Sequence, residues 1–287
     1  MSDPQLAVFE TAIADRWAIE GNVGGGSRAI VYRARDVASG EPVAIKVFRS
    51  DLASAVDGPR FLTQMRKIAG IRHENLVPIL EVNDVAGRLF LVMPFVDGES
   101  LRARLRRDGR LDLSEAIAIV RQVAEALGHA HAEGALHKDV KPENIFLSGP
   151  RALLMDLGVA RAITRSIDET MTGSGLTLGS PAYMSPEHAR GGVEIDSRAD
   201  LYSLGCVLYE LLAGKPPFTG DTSLAVLRKT VNETPVPLTT IRDALPPDVD
   251  VTLDRLMAKA PAARYPAAAN LVEALSALES RPARDRA

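Results

Sequence analysis

The spacing of apolar residues in the first third of the chain alternates in the way expected for β-strands. Two predicted strands, 17–23 and 30–35, flank a cluster of glycines, and a third covers 42–48 after a Ser-Gly turn. Because successive side chains of a strand point to opposite faces, the third strand places Lys46 on the same face as Ala44. The pattern therefore predicts a sheet that carries a lysine on one defined face.

After the third strand, the spacing of apolar residues predicts both helices and strands. A helix is predicted at 59–71, and two more strands come after it, the second at 89–93. Beyond these strands the apolar residues recur every three or four positions, which indicates helices. The two clearest helices cover 114–131, with Ser114 as the expected N-cap, and 196–214, which ends in glycine.

The order of these elements predicts an α+β fold with two lobes. The small lobe, placed at 1–95 with a leading segment at 1–15, is expected to hold a five-stranded antiparallel sheet and one helix. The larger and mostly helical lobe is placed at 96–280, after a hinge near 94–97. The polar, Arg-rich tail at 281–287 is expected to be a linker.

Composition narrows the class of protein without indicating an activity. The 287 residues are 46% hydrophobic and 25% charged, as is usual for a folded globular chain. The net charge of -3 gives no basic excess, so neither nucleic acid nor an acidic membrane surface is an expected partner. The single cysteine, Cys206, excludes an internal disulfide and fits a cytoplasmic location. No signal peptide or membrane span is expected, because the longest apolar run, 89–96, falls far short of the ~20 residues needed.

A glycine-rich loop and a strand lysine are the first candidates for chemistry. Glycines at 24–26 allow backbone amides to approach phosphate oxygens closely, so the loop could cover a nucleotide. Lys46 could hold the α- and β-phosphates as a point charge. Each feature also has an ordinary structural explanation, since many glycine-rich hairpins are only turns and many strand lysines only face solvent.

The run 136–144, Leu-His-Lys-Asp-Val-Lys-Pro-Glu-Asn, carries more specific chemistry. Phosphoryl transfer needs an oriented acceptor hydroxyl, oxygen ligands for magnesium and positive charge near the moving phosphoryl group. Asp139 could accept the hydroxyl proton, Lys141 could contact the γ-phosphate, and the Asn144 amide oxygen could bind magnesium. Asp156, followed by Leu-Gly after a predicted hairpin, adds a carboxylate suited to bridging magnesium and phosphates.

Taken together, these motifs resemble the protein-kinase signature, and most closely that of bacterial eukaryotic-like (Hanks-type) serine/threonine protein kinases. The resemblance runs from about residue 15 to 280 and rests on the glycine loop, Val-Ala-Ile-Lys at 43–46, the catalytic run, Asp-Leu-Gly at 156–158 and Ser-Pro-Glu at 185–187. It implies a two-lobed protein kinase fold that uses ATP and Mg2+. Its implied nucleotide-binding residues are Gly24, Gly25, Gly26, Ser27, Val31, Ala44, Lys46, Met93 as gatekeeper, the backbone of Pro94 and Val96, Asn144 and Asp156.

The resemblance also indicates the substrate class and the regulation. Lys141 after the catalytic aspartate and Gly-Ser-Pro-Ala-Tyr at 179–183 are similar to serine/threonine kinases, whereas small-molecule phosphotransferases typically lack both. It implies protein substrates with Ser or Thr acceptors and regulatory phosphorylation at Thr172 and Ser174. A homodimer for autophosphorylation in trans is implied as a partner. A longer membrane-anchored receptor kinase with this domain in the cytoplasm is the alternative form of the protein.

Two further positions are implied to be structural. Glu187 resembles the glutamate that pairs with a late arginine, for which Arg264 is the candidate. Asp200 resembles the buried helix aspartate that holds the backbone of the catalytic loop.

Three residues depart from the family pattern. Ala29 replaces the third loop glycine. Lys138 replaces the arginine before the catalytic aspartate, so the bidentate hydrogen bonds that an arginine makes to a phosphate become a point-charge contact. Gln64 stands where a helix glutamate pairs with the strand lysine, and 60–72 contains no acidic residue. Two functions therefore stay open: an active kinase, and a nucleotide-binding pseudokinase that serves as a docking or regulatory module.

Overall fold

The computed structural model describes residues 4–26, 28–166, 180–191 and 195–279. These residues form two compact units, each assembled from separate stretches of chain. The described parts of 1–72, 77–97 and 161–176 make up the first, and those of 73–76, 98–160 and 177–287 the second. In these four ranges no helix is long and apolar enough to cross a membrane.

The first unit is built on a five-stranded antiparallel sheet with the strand order β1-β2-β3-β5-β4. Its strands are β1 (Trp17–Gly25), β2 (Ala29–Asp36), β3 (Pro42–Phe48), β4 (Glu81–Val85) and β5 (Arg88–Pro94). Three helices accompany them, α1 (Pro4–Ile13), α2 (Ser50–Ala55) and α3 (Gly58–Ile68). The predicted sheet is confirmed, and α3 corresponds to the one main helix expected in this lobe, whereas α1 and α2 were not predicted.

Helix α1 occupies what was expected to be only a leading segment. Its Phe9 and Ile13 are buried against the sheet face that carries Val43, Ile45 and Val47. Phe9 packs edge-to-face on Phe90, with ring centroids 5.2 Å apart. A helix of 10 residues is too short to form without such packing, so its local pattern gave no clear signal.

The opposite face of β3 receives α3. Phe48 and Phe61 meet edge-to-face across this contact, with ring centroids 5.3 Å apart. The helix begins after Asp57, whose side chain accepts a hydrogen bond from the Arg60 amide, and Pro59 in the first turn needs no donor partner. Alternation along β3 puts Lys46 on this same helix-covered face, as predicted.

The second unit is mostly helical around one small sheet of three strands, β6 (Glu99–Ser100), β7 (Ile145–Ser148) and β8 (Arg151–Leu154). The remaining helices, in chain order, are α4 (Leu101–Asp108), α5 (Leu113–Ala132), α6 (Val159–Ser166), α7 (Pro186–Ala189), α8 (Arg198–Ala213), α9 (Ser223–Asn232), α10 (Asp248–Leu256) and α11 (Ala268–Glu279). All of them belong to this unit except α6, whose residues from 161 onward belong to the first. Helix α8 is buried on all sides and packs on α5, so these two form the centre of the unit. The α+β fold class is confirmed.

The predicted N-cap of α5 is wrong by two residues. The helix begins at Leu113, and the Asp112 side chain accepts a hydrogen bond of 2.9 Å from the Glu115 amide. Ser114 instead donates its hydroxyl to the Asp112 carboxylate. Aspartate and serine cap helices about equally well, so sequence alone could not choose between them. The predicted end of α8 is confirmed, because Gly214 adopts the left-handed conformation there with φ 78°.

Candidate active site

Three of the predicted site residues, Asp139, Lys141 and Asn144, lie close together in one loop of the second unit. Lys141 Nζ lies 2.6 Å from Asp139 Oδ2, and Asn144 Nδ2 donates to the Asp139 carbonyl at 2.7 Å and to its Oδ2 at 3.1 Å. A short 3-10 helix, Pro142–Asn144, brings the asparagine back toward the aspartate. The loop therefore gathers a carboxylate, an ammonium group and an amide around one point.

The backbone of this loop is anchored by Asp200 near the start of α8. Its Oδ2 accepts the His137 amide at 2.9 Å, and its Oδ1 accepts the Lys138 amide at 2.7 Å. Lys138 has φ 62°, a conformation that costs a lysine free energy unless the surroundings impose it. The two hydrogen bonds that Asp200 accepts from these amides hold the backbone in that turn, as the resemblance implied.

The charge of Asp200 is stabilised although the side chain is fully buried. Burial opposes the charged form most strongly, but the hydrogen bond and charge of His131, together with the His137 amide, outweigh it and lower the pKa of Asp200. The His131 Nε2 lies 2.8 Å from Asp200 Oδ2. Asp200 is therefore a charged anchor for the backbone of the loop.

The hairpin of β7 and β8 places Asn144 beside the second predicted carboxylate. The Met155 amide donates to the Asn144 carbonyl at 2.8 Å, which extends the strand pairing by one residue beyond Ile145 and Leu154. Asp156 follows at once with φ 61°, so the chain turns sharply at that residue. Asn144 and Asp156 therefore lie at the same end of the hairpin.

His137 ties this hairpin to the catalytic loop. Its Nδ1 accepts the Asp139 amide at 3.2 Å, so its Nε2 carries the proton and donates to the Met155 carbonyl at 2.7 Å. The imidazole therefore bridges the chain at Asp139 to the residue before Asp156. Sequence reasoning had named His137 only as part of the motif.

The sheet of the first unit positions the other predicted nucleotide-binding residues. Val31 pairs with Lys46 across β2 and β3, and Ala44 pairs with Met93 across β3 and β5. Pro94 ends β5, and Val96 follows it, partly exposed. The three strands thus line up Val31, Ala44, Lys46 and Met93 at neighbouring register positions.

The glycine loop closes the β1–β2 hairpin. The Gly26 amide donates to the Ala29 carbonyl at 2.9 Å, and a Cβ on Gly25 would lie 2.7 Å from that same oxygen. Only glycine fits at that position without a shift of the backbone. Gly24 pairs with Val31, and Ala29, the departure from the third glycine, begins β2 as a buried residue.

Gln64 lies on the helix that covers the Lys46 face of the sheet. Phe61 and Met65 of α3 are fully buried, and Gln64, between them in sequence, is half-buried. Asp57 is the acidic residue nearest to Gln64 in sequence, but its side chain caps the helix at the Arg60 amide. The position expected for a pairing glutamate thus carries a neutral amide.

Several predicted residues lie outside the described part of the chain: Ser27 of the glycine loop, the proposed phosphosites Thr172 and Ser174, and their alternatives Thr170 and Thr177. The tail at 281–287 lies outside it as well. Ser166, another alternative, is described and is 2% exposed at the end of α6. Its hydroxyl is therefore poorly placed to accept a phosphoryl group in this conformation.

The predicted pair of Glu187 and Arg264 is present. Both guanidinium Nη atoms lie 2.7 Å from the two Glu187 oxygens, and Arg264 also donates to the Ala258 and Arg198 carbonyls. The Arg264 guanidinium stacks over the Tyr202 ring, 4.9 Å from its centroid. A fully paired, buried arginine thus joins the α7 region to the segment before α11.

The sequence analysis did not predict the ion pairs that Arg102 forms. Arg102 of α4 contacts Glu143 of the catalytic loop and Glu210 of α8, which lie far from it in sequence. Neither α4 nor the loop carries a local motif for this pairing. The only signal in the sequence was the unusual number of arginines in α4.

The sheet with its glycine hairpin in the first unit and the loop around Asp139 in the second unit are both features typical of protein kinases. Residues 17–275 match the family model described as protein kinase domain. The chain belongs to this family and is a bacterial eukaryotic-like serine/threonine protein kinase domain by its relatives.

Those relatives are named serine/threonine-protein kinases. The chain is 38% identical to PknB of Mycobacterium leprae over 268 residues, which cover 90% of this chain and 42% of that protein. It is 39% identical to PknE of Mycobacterium bovis over 270 residues, 92% of this chain and 46% of that protein. The chain therefore spans less than half the length of these curated relatives.

A solved kinase domain has the same fold. The crystal structure of the Mycobacterium tuberculosis PknI kinase domain superposes with a TM-score of 0.73 at 26% sequence identity. The match covers 91% of this chain and 95% of that chain. The two-lobed kinase fold expected from the sequence is therefore confirmed.

Proposed function

We propose that this domain transfers the γ-phosphoryl group of ATP to serine and threonine hydroxyls of proteins, with magnesium. The observation that carries the proposal is the loop in which Asp139 lies within hydrogen-bonding distance of both Lys141 and Asn144. In this role Asp139 orients the acceptor hydroxyl and takes its proton. Lys141, 2.6 Å away, places positive charge where the phosphoryl group moves.

The residues present fit magnesium and the nucleotide phosphates. Both acceptors of the Asn144 amide nitrogen are Asp139 oxygens, so the amide Oδ1 is turned away and is the atom offered to a cation. Asp156 supplies a carboxylate from the same end of the hairpin. Among the described residues no cluster of three His, Cys, Asp or Glu side chains could hold a metal, and magnesium commonly takes one or two protein ligands plus phosphates. When bound, magnesium neutralises charge on the phosphates.

The adenine and phosphate contacts are proposed for the first unit. The backbone of Pro94 and Val96 would hold the adenine edge, with Ala44, Val31 and the gatekeeper Met93 beside it. Lys46 would hold the α- and β-phosphates under the glycines at 24–26 and Ser27. We further propose a cytoplasmic location, where ATP is available, and a transient homodimer in which one chain phosphorylates another.

Transfer of radiolabel from [γ-32P]ATP to a generic protein substrate tests this proposal. We expect magnesium-dependent label on phosphoserine and phosphothreonine, and at least about 100-fold less label with Asp139→Asn. Label that is unchanged in Asp139→Asn, or that appears on tyrosine alone, would contradict the proposed reaction.

A second function, a pseudokinase that binds nucleotide as a regulatory or docking module, is favoured by one observation. Gln64 provides no carboxylate for Lys46, and in kinases this pair must be in place for transfer. Retention of Lys46, Asp139, Lys141, Asn144 and Asp156 favours the enzyme. The same radiolabel assay separates the two, since a pseudokinase would bind ATP without transfer.

Replacement of the glutamine by glutamate is expected to raise activity. A carboxylate at position 64 holds the Lys46 ammonium more firmly than an amide, and this difference is about 1–2 kcal/mol. Because ~1.4 kcal/mol in the barrier is tenfold in rate, Gln64→Glu should increase turnover at saturating ATP roughly 5- to 30-fold. Steady-state kinetics of purified protein measure the change.

Thr63→Glu is the matched control for this prediction. Thr63 is the exposed neighbour on α3, so the variant adds the same charge on the outer side of the helix. We expect it to leave turnover within about twofold of the parent, as exposed charges contribute little. An unchanged or lower rate for Gln64→Glu would show that this chain positions Lys46 through another contact.

Active protein is expected to carry phosphate on Thr172 and Ser174. A phosphate there adds up to about two negative charges that Lys138 could hold. Mass spectrometry of protein incubated with Mg–ATP checks the sites. Mixing active chain with Asp139→Asn chain of a different mass should label the inactive chain as well, if one molecule acts on another. Phosphate confined to Thr164, Ser166, Thr170 or Thr177 would refute the assignment.

A further inference from the structure

One charged cluster of the second unit lies beside the catalytic loop and has no part in the chemistry proposed above. Arg102 Nε lies 2.8 Å from Glu143 Oε1, and its Nη1 lies 2.7 Å from Glu210 Oε1. Its Nη2 donates to the Tyr183 hydroxyl, which in turn donates to Glu210 Oε2. One guanidinium group therefore occupies the space between two carboxylates.

The two carboxylates differ in their access to solvent. The Glu210 side chain is 4% exposed, whereas that of Glu143 is 43% exposed and that of Arg102 is 19% exposed. Burial, and then the charge of Glu210, raises the pKa of Tyr183 well above its usual range, so its hydroxyl stays protonated and neutral. The cluster thus holds one cation between two anions and opens to solvent at Glu143.

Glu143 connects this cluster to the acceptor site. It is the neighbour of Asn144 in the short 3-10 helix, but the two side chains point to different partners. Asn144 turns inward to Asp139, and Glu143 turns outward to Arg102. Because Glu143 lies four residues after Asp139 and its side chain is 43% exposed, we expect a protein segment that presents its hydroxyl to Asp139 to pass near it.

We propose that Arg102 is a specificity-determining residue that fills, from within the chain, an acidic site for a basic side chain of the substrate. Two carboxylates held a guanidinium's width apart are the arrangement that binds an arginine side chain in a bidentate or bridging manner. Because Arg102 already takes both, an arginine or lysine near the acceptor gains no ion pair there. The domain therefore accepts Ser/Thr segments without a requirement for basic residues, an inference that rests on the proposed function.

Removal of Arg102 is expected to open the site. The peptides would share one Ser/Thr acceptor sequence and carry either arginine or alanine at each position from four residues before to four after it. For the parent chain we expect kcat/KM ratios of arginine to alanine peptide within about threefold at every position. For Arg102→Ala we expect the kcat/KM ratio of arginine to alanine peptide to reach at least about tenfold at one position. Hydrogen bonds between charged groups are stronger than those between neutral groups, so the freed carboxylates should bind a substrate arginine. The double variant Arg102→Ala with Glu143→Gln should lose most of that preference.

A binding measurement keeps this inference separate from the proposed reaction. Peptides whose acceptor is replaced by alanine cannot be phosphorylated, and their effect on thermal unfolding can be followed without turnover. We expect the arginine peptide to raise the unfolding temperature of Arg102→Ala more than the alanine peptide does, and to show no such difference with the parent. A parent chain that transfers no phosphoryl group would refute the proposed function but leave this comparison intact.

Two further variants serve as controls, one for the folding of the Arg102 variants and one for the effect of losing an arginine from α4. Arg102→Gln keeps a neutral donor for the buried Glu210, which reduces the cost of leaving that carboxylate unpaired. Arg106→Ala removes an exposed arginine of the same helix and should leave all peptide ratios unchanged. The proposal is overturned if neither Arg102 variant gains an arginine preference in either assay. It is equally overturned if the parent prefers arginine at a position where Glu143→Gln abolishes the preference, a test that needs no Arg102 variant.

Discussion

Asp139→Asn is expected to lower turnover by roughly 10²- to 10⁴-fold, the usual contribution of a positioned general base. The amide keeps the size of the carboxylate but cannot take the acceptor proton, and it loses the ion pair with Lys141. Magnesium-dependent stabilisation by ATP should persist in this variant, because Asn144 and Asp156 are unchanged. Radiolabel transfer and thermal unfolding with Mg–ATP measure the two effects on the same sample.

Asp156→Ala should show the opposite pattern in the thermal assay. It removes the carboxylate proposed to bridge magnesium and phosphates, so the magnesium-dependent shift with ATP should vanish along with turnover. Asp221→Asn, which neutralises an exposed aspartate of the same unit, is the matched control and should retain both. Tight ATP binding without metal in the parent chain would contradict the site and indicate a pseudokinase.

Arg264→Ala is expected to lower the free energy of unfolding by about 3–5 kcal/mol, the cost of breaking a buried ion pair from one side. The Arg264 side chain is fully buried, and its two Nη atoms contact Glu187 at 2.7 Å each. The variant leaves the Glu187 carboxylate and three backbone carbonyls without this donor. Denaturant unfolding followed by circular dichroism gives the difference.

Low pH is expected to reduce the difference in free energy of unfolding between the parent and Arg264→Ala. Burial opposes the charge of Glu187 most, yet the hydrogen bonds and charge of Arg264 outweigh it and hold the pKa of Glu187 below its ordinary value of 4.5. A carboxylate whose pKa is lower in the folded than in the unfolded protein stabilises the fold at any pH above its unfolded-state pKa. That stabilisation is lost as the pH falls through its folded-state pKa. The difference between parent and Arg264→Ala should therefore be full at neutral pH and shrink below about pH 4.5.

An exposed ion pair between an arginine and a glutamate serves as the control for Arg264→Ala. Arg121 and Glu279 lie 3.4 Å apart with side chains 36% and 40% exposed. Arg121→Ala should cost less than about 1 kcal/mol and show no comparable narrowing in acid. Equal losses for the two variants would mean that burial of the Arg264 pair contributes nothing beyond a surface contact.

The sequence by itself determined the features whose physics is local. Alternation along β3 was enough to place Lys46 on the face opposite Ile45, because side chains of a strand point alternately to its two faces. The spacing within 137–144 placed Asp139 and Asn144 in one loop, since a short turn returns the chain upon itself. The family pattern supplied the partners of Glu187 and Asp200, which local periodicity could not have supplied.

Only the tertiary structure decided the features that depend on residues distant in sequence. Helix α1 is stabilised by burial of Phe9 and Ile13 against the sheet, a contribution absent from its own ten residues. Arg102 meets Glu143 and Glu210, which are 41 and 108 positions away. In sequence an arginine of this helix is equally able to face solvent or to pair with any carboxylate. The packing of α4 beside the catalytic loop and α8 selects the partners, because ion pairs form only where the fold brings the charges within reach.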